Sequence, residues 1–141
     1  MHTMSTEEWH KFVTSGAHTG KFATVGADGM PHVTPVWYVF DGEDFLFTGG
    51  LDTAKLRNVQ RDPRAAMCID DEAPPFSYVE VRGEVRLSED LDDLKDVATR
   101  AAARYLGPER AEEFGRRNAV PGEAVARLHP TKVIAYRGII D

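Results

Sequence analysis

Two Asp-Gly dipeptides, at 28–29 and 41–42, are the features that most constrain what this chain can fold into. The first lies within GKFATVGADGMPHVTPVWYVF at 20–40, where apolar and polar residues alternate, and the second precedes DFLFT at 44–48. Asp-Gly favours tight hairpin turns because both residues tolerate a positive φ. The pattern therefore predicts three consecutive antiparallel strands within the first fifty residues.

Further strands and helices follow from the same kind of reading. Strand-like segments are RAAMCID at 64–70, SYVEVRGEVRLS at 77–88 and HPTKVIAYRGII at 129–140. Helical segments are a capping box from Ser5 to Glu8 leading to Val13, TAKLRNVQRD at 53–62 before Pro63, and an acidic stretch at 89–117 interrupted at Gly107-Pro108. We therefore predict one domain over residues 1–141, mainly β with α additions: a six-stranded antiparallel β-barrel.

Charge and cysteine content narrow the partners and the compartment. The net charge of −6 argues against a nucleic-acid or membrane-surface binder, because either would need a basic surface. We expect no signal peptide and no membrane span, since no segment is apolar enough. The single cysteine, Cys68, cannot form an internal disulfide, which favours a reducing cytoplasm, and its strand-like setting predicts a small core residue.

Several familiar catalytic patterns are missing. The sequence has no paired-cysteine zinc pattern and no H-E-x-x-H, so we predict no metal site. It has no G-x-G-x-x-G after a strand and no G-x-S-x-G elbow, which argues against a Rossmann dinucleotide site and gives hydrolysis little support. The catalytic residues stay undetermined.

A basic run stands out against the acidic background: Lys55, Arg57, Arg61 and Arg64 lie within ten residues. Gly49-Gly50, followed by Asp52 and Thr53, predicts a turn and then a helix N-cap, so Lys55 falls in the first turn of the predicted helix. The helix dipole disfavours a cation there by roughly 0.3–1 kcal/mol unless a negative group is near. That group could be Asp52 or a bound phosphate. We rank Lys55 first and Arg57 second as anion contacts.

A second constellation precedes this helix. Pro35 interrupts a strand-like run and so indicates an edge, a bulge or a broken ladder with free backbone groups. Trp37 lies two residues later, Thr48 ends the neighbouring strand, and Lys55 opens the helix. Together they predict an aromatic wall beside a phosphate-accepting corner. The alternative is structural: a core tryptophan, a turn threonine and a solvated basic helix.

At this point the chain resembles a known family. The runs D-G-x-P-H-x-x-P-V-W at 28–37 and K-x-x-N…R-D-P-R at 55–64 are similar to those of split β-barrel flavin and deazaflavin oxidoreductases. These form the pyridoxamine 5′-phosphate oxidase-like superfamily, and the resemblance is greatest to the actinobacterial branch that uses coenzyme F420. It implies a six-stranded split barrel, a homodimer, and cofactor sites between the subunits.

The resemblance also implies roles for individual residues. In its terms, the cofactor ring is lined by Thr34, Pro35, Val36 and Trp37, and the cofactor phosphate contacts Thr48 and Lys55 with Arg57 close by. Tyr78, at the start of the fifth predicted strand, aligns with a position that reaches the other subunit's cofactor.

Departures from the family pattern bear on the ligand. True pyridoxamine-phosphate oxidases carry an arginine where Thr34 or Pro35 stands, an Arg-Lys pair where this chain has Ala54-Lys55, and a C-terminal tryptophan and arginine. Phosphorylated vitamin B6 is therefore not the expected substrate. The shortage of cations also disfavours FMN, whose phosphate is a dianion, relative to F420, whose phosphodiester carries one charge.

These observations give one hypothesis and its alternatives. We expect an F420H2-dependent reductase that delivers a hydride to a small electron-poor organic substrate, with the proton supplied by solvent or by a tyrosine such as Tyr78. One alternative is an FMN-dependent oxidoreductase of the same fold. The other is a non-catalytic carrier or sensor that binds F420 or a flavin.

Overall fold

The computed structural model describes residues 1–141 and is organised around one antiparallel sheet of eight strands. The strands are β1 (His2–Thr3), β2 (Gly20–Val25), β3 (Pro31–Val36), β4 (Val39–Phe40), β5 (Phe45–Gly50), β6 (Arg64–Asp71), β7 (Ser77–Ser88) and β8 (Glu123–Arg137). Their order across the sheet is β3-β2-β6-β7-β8-β5-β4, and β1 pairs with the end of β8.

The two ends of this sheet are neighbours in the chain. β3 ends at Val36 and β4 begins at Val39, yet they occupy opposite ends of the strand order. Three residues span at most about 11 Å, so the sheet must curl until its ends meet. We call the connecting residues, Trp37 and Tyr38, the seam. The barrel closes there through the chain and not through a strand ladder, as expected of a split barrel.

Four helices complete the fold: α1 (Thr6–Thr14), α2 (Ala54–Arg61), α3 (Leu91–Leu106) and α4 (Pro108–Asn118). α1 begins with the predicted capping box, in which the Ser5 hydroxyl accepts from Glu8 N and the Glu8 carboxylate accepts from Ser5 N. Gly107, at φ 100°, separates α3 from α4. α3 packs across β4, β5 and β8.

Aromatic side chains fill the barrel. Phe22 and Phe47 approach across the interior with ring centroids 4.7 Å apart, and Tyr38 packs edge-on against Phe45. All four are essentially inaccessible to solvent. A smaller cluster under α3 joins Leu94 and Val97 to Leu46 and Val125 of the sheet. The barrel therefore has its own core, and α3 is attached by a second one.

The predicted barrel is confirmed, with three corrections. The strand count is eight, not six, because the chain breaks at the seam and because the two-residue β1 was missed. The last strand begins at Glu123, six residues before the predicted His129. Gly49 and Gly50 end β5 and do not form a turn.

Two smaller points concern exposure. Cys68 is half-buried on the outer face of β6, between the buried Met67 and Ile69, and is not the core residue expected; burial raises the pKa of its thiol. Leu56 and Val59 form the buried stripe of α2. None of the helices is long and apolar enough to cross a membrane.

Candidate functional site

A cavity of about 310 Å³ opens where the seam, the start of α2 and the α3–α4 pair meet. We call it the site cavity. Its barrel side is formed by Pro35, Val36, Trp37, Thr48 and Lys55, and its helical side by Ala98, Ala101, Ala102, Phe114 and Asn118. Five of the eight residues predicted to bind a cofactor therefore meet in one cavity.

The barrel side follows from the interrupted strand. Pro35 lies on β3, which is the end strand of the sheet order, as the proline indicated. Regular pairing stops after Val36, so Trp37 leaves the ladder and keeps 43% of its surface exposed beside the cavity. Tyr38 anchors the chain immediately afterwards, because its buried hydroxyl donates to Val13 O at 2.7 Å. Burial raises the pKa of Tyr38, so this hydroxyl stays protonated.

Lys55 is the cation of the site cavity. It is half-buried in the first turn of α2 and forms no ion pair, so Asp52 is not its partner. The N-cap residue Thr53 does not cap this helix, since its hydroxyl donates to Gly50 O at 2.7 Å and accepts no backbone N–H. The start of α2 thus combines an unpaired ammonium with uncapped N–H groups, which is a favourable setting for an anion.

The other cations of the basic run are directed elsewhere. Arg61 donates to Val25 O and to Asn58 Oδ1, and Arg64 pairs with Asp62 at 2.7 Å. Arg57 is exposed and does not line the site cavity. Lys55 alone among the four faces the cavity.

The helical wall was not anticipated from the sequence. Three alanines of α3 present small side chains to the cavity, which leaves space opposite Trp37. α4 lies close against α3 because Gly115 has no side chain; a Cβ there would lie 1.9 Å from Thr99 Oγ1. This close approach brings Phe114 and Asn118 to the rim. The Asn118 side-chain amide donates through Nδ2 to Phe114 O at 2.9 Å, which leaves the side-chain oxygen Oδ1 free to accept a hydrogen bond.

Besides Arg57, two further predicted residues lie outside the cavity lining. Thr34 precedes Pro35, and its Oγ1 is buried without a hydrogen-bond partner. Tyr78 lies on β7, next to a separate cavity of about 420 Å³, and its ring packs 5.8 Å from that of Tyr136. The structure does not bring Tyr78 to the same site as Lys55.

The site cavity suits a planar ligand that carries a small negative charge. Its volume lies near the lower end of ordinary ligand cavities, enough for one ring system between Trp37 and the alanines of α3. Lys55, the uncapped start of α2 and the Thr48 hydroxyl could hold a phosphate at one end. A single lysine matches one negative charge better than two.

A larger concavity, of about 570 Å³, lies on the outer face of β2, β6 and β7. Its charged lining residues are Arg64, Arg82 and Glu84. Val33 and Met30 are exposed on the neighbouring hairpin, at 63% and 66%. Because this face collects none of the residues predicted to bind a cofactor, we place the candidate site in the smaller cavity.

Comparison with known proteins agrees with this architecture. The family model described as pyridoxamine 5′-phosphate oxidase matches residues 5–137. An F420H(2)-dependent biliverdin reductase from Mycobacterium tuberculosis (strain CDC 1551 / Oshkosh) is 30% identical over 98 residues, which cover 67% of this chain and 68% of that protein.

Two solved structures extend the similarity. The conserved hypothetical protein Rv2991 from Mycobacterium tuberculosis superposes with a TM-score of 0.84 at 28% identity, covering 96% of this chain and 86% of that one. An F420 reductase superposes with a TM-score of 0.65 at 27% identity, covering 87% and 94% respectively. The chain therefore belongs to the pyridoxamine 5′-phosphate oxidase-like superfamily of split β-barrels, and within it resembles the actinobacterial F420-dependent branch.

Proposed function

We propose that this protein is an F420H2-dependent reductase acting on a small electron-poor organic substrate. The observation that carries the proposal is the unpaired Lys55 at the uncapped start of α2, in a cavity walled by Trp37. Two of its relatives are named for F420-dependent reduction, which supports the same cofactor here.

The phosphate of the cofactor would be held at the α2 end of the site cavity. Lys55 supplies the charge, and the Thr48 hydroxyl and the first N–H groups of α2 supply hydrogen bonds. The phosphodiester of F420 carries one negative charge, which a single lysine balances. The phosphate of FMN carries two, and Arg57 is directed to solvent, so the charge count favours F420.

The ring system would lie between the seam and α3. Pro35, Val36 and Trp37 form one side, and the side chains of Ala98 and Ala101 allow a flat ligand to approach on the other. We also assign Thr34 to this ring site, because its buried Oγ1 lacks a protein partner. When bound, reduced F420 supplies the hydride from C5 of its ring. The chain's contribution is to orient the ring and exclude water from one face.

The site cavity contains few groups that could donate a proton to the substrate. Lys55 is the one titratable residue in the lining, and we assign it to the phosphate. The Tyr105 hydroxyl donates to His18 O at 2.7 Å, so its proton is engaged. We therefore propose solvent as the proton source.

We further propose a homodimer formed through the outer face of β2, β6 and β7. Val33 and Met30 of the neighbouring β2–β3 hairpin leave apolar surface exposed beside this face, whose groove carries both charge signs from Arg82 and Glu84. Tyr78 would then approach the cofactor of the partner subunit. A Val33→Glu substitution should convert the dimer to a monomer, as measured by light scattering. A wild-type protein that is monomeric at tens of micromolar would contradict the proposed homodimer.

The decisive experiment is a titration of cofactor-free protein with F420 and, separately, with FMN. We expect micromolar affinity for F420 and an affinity for FMN at least tenfold weaker, followed by hydride transfer from F420H2 to some member of an acceptor panel. The reverse order of affinities would move the protein to the flavin-dependent oxidoreductases. Tight F420 binding without transfer to any acceptor would favour a carrier or sensor.

A further inference from the structure

Trp37 stacks on a residue that lies outside the site cavity. Trp37 is 43% exposed and lies just beyond the last paired residue of β3, so its ring plane depends on the side chains that contact it. Tyr105, in the last turn of α3, stacks on it with ring centroids 5.1 Å apart and planes only 9° from parallel. This is the offset-stacked arrangement that aromatic pairs favour.

Tyr105 is in turn held by two backbone groups from different parts of the chain. Its hydroxyl donates to His18 O at 2.7 Å and accepts from Tyr38 N at 3.3 Å. The second bond joins Tyr105 to the residue that follows Trp37 in the seam. The ring that stacks on Trp37 is therefore tied to the same short segment of chain.

Arg104 extends this support to α1. Its guanidinium carbon lies 4.8 Å from the ring centroid of Tyr38 and 5.3 Å from that of Tyr105. Its Nη2 donates to Val13 O at 3.1 Å and to the Tyr38 hydroxyl at 3.2 Å. The end of α3, the end of α1 and the seam thus form one connected group around Trp37.

We propose that Tyr105 is the positioning residue of the site: it holds the Trp37 ring in the plane that a flat cofactor requires. The inference rests on the proposed function, since it assigns a role within that cofactor site. Without the stack, Trp37 would sample several rotamers, some of them turned into the cavity. The binding-competent fraction of the free protein would fall, and the apparent affinity would fall with it.

The two interactions of Tyr105 can be separated by substitution. Tyr105→Phe keeps the stacked ring and removes both hydrogen bonds, whereas Tyr105→Leu removes the ring as well.

The first measurement, the quenching of Trp37 fluorescence, needs no cofactor. The chain has two tryptophans, so a Trp9→Phe background reports Trp37 emission alone; if that variant does not fold, subtracting the emission of Trp37→Phe from wild type gives the same signal.

We expect Tyr105→Leu to at least double the acrylamide quenching constant of Trp37. Tyr105→Phe should raise it less, because the stacked ring remains while its hydrogen bonds to His18 O and Tyr38 N are lost. Titration with F420, followed by the cofactor's own fluorescence, should show about threefold to tenfold weaker binding for Tyr105→Leu, the range of an aromatic pair. Tyr105→Phe should restore binding to within about twofold of wild type.

A double-mutant cycle separates positioning from general loss of structure. If Tyr105 acts through Trp37, adding Tyr105→Leu to a Trp37→Leu protein should change F420 affinity by less than twofold. Equal losses with and without Trp37 would overturn the proposal, as would unchanged quenching in Tyr105→Leu. Failure of the wild-type protein to bind F420 or FMN would refute the proposed function instead, and the quenching data would still decide whether Tyr105 controls Trp37.

Discussion

Replacing Lys55 by methionine should weaken cofactor binding and, at the same time, stabilise the free protein. The Lys55 ammonium forms no ion pair within the protein, so its removal breaks no ion pair that stabilises the fold. It lies in the first turn of a helix without a side-chain cap, where a cation is unfavourable by roughly 0.3–1 kcal/mol. Methionine keeps the apolar stem and the helix propensity. The free protein should therefore melt about 1–4 °C higher.

The effect on binding has the opposite sign. A hydrogen bond to a charged group contributes about 1.5–3 kcal/mol, which corresponds to a loss of roughly tenfold to 150-fold in F420 affinity. Binding is measured by F420 fluorescence and stability by calorimetry on the cofactor-free protein. The two measurements together distinguish a ligand contact from a structural contact.

Lys95→Met is the matched control. Lys95 is an exposed lysine on α3, away from the site cavity, and its substitution changes the net charge by the same amount. We expect wild-type F420 affinity within about twofold and a melting temperature within about 2 °C, as for ordinary surface changes. An F420 affinity of Lys55→Met equal to that of the control, or a melting temperature lowered by several degrees, would contradict the role expected of Lys55.

Three further substitutions test other parts of the structure. Ala101→Leu should fill the site cavity opposite Trp37 and weaken F420 binding at least tenfold, measured by titration, while circular dichroism stays unchanged. Arg64 donates to both carboxylate oxygens of Asp62 and lowers the pKa of Asp62 to about 2. The stabilisation that this pair gives the fold is therefore fully present above pH 3.8, and it is lost as the pH falls towards 2. Asp62→Asn should accordingly reduce the fall in melting temperature between pH 3.8 and pH 2. A fall as steep as that of the wild-type protein would contradict the assignment. Gly83→Ala would place a Cβ 1.9 Å from His129 O. The free energy of unfolding, measured with urea, should therefore fall by about 1–3 kcal/mol.

Local signals account for the parts of the fold that could be predicted. The hairpins follow from Asp-Gly turns and alternation, and in the structure Gly29 and Gly42 have positive φ as those turns require. The α3–α4 break follows from Gly107-Pro108. Each of these depends on a few adjacent residues, so no knowledge of the tertiary structure is needed.

The start of β8 was missed for a physical reason. Ala124, Val125 and Ala126 are all buried, because one face of this strand meets the barrel interior and the other meets α3. A strand covered on both faces shows no alternation of apolar and polar residues, which is the pattern that predicts the other strands. Its pairing with β5 also joins residues 77 positions apart, Thr48 with Val125, which no local pattern reveals.

The candidate site divides in the same way. Pro35, Trp37 and Lys55 carry chemical signals of their own, and the structure brings them together. Ala98 and Ala101 carry none, since small residues on a helix face are equally typical of plain packing. Their place at the cavity depends on how α3 docks, and Tyr105 acquires its meaning only through its contact with Trp37.

The open seam also bears on self-association. A barrel that closes without a ladder leaves β3 as an edge strand, and such edges can recruit strands from other molecules and aggregate. Pro31, Val33 and Pro35 alternate along β3, so their backbone nitrogens share one side, and proline requires that side to be unpaired. Only Val33 then offers a donor to an incoming strand. The two prolines thus leave this edge with a single backbone donor, which disfavours the addition of a strand from another chain.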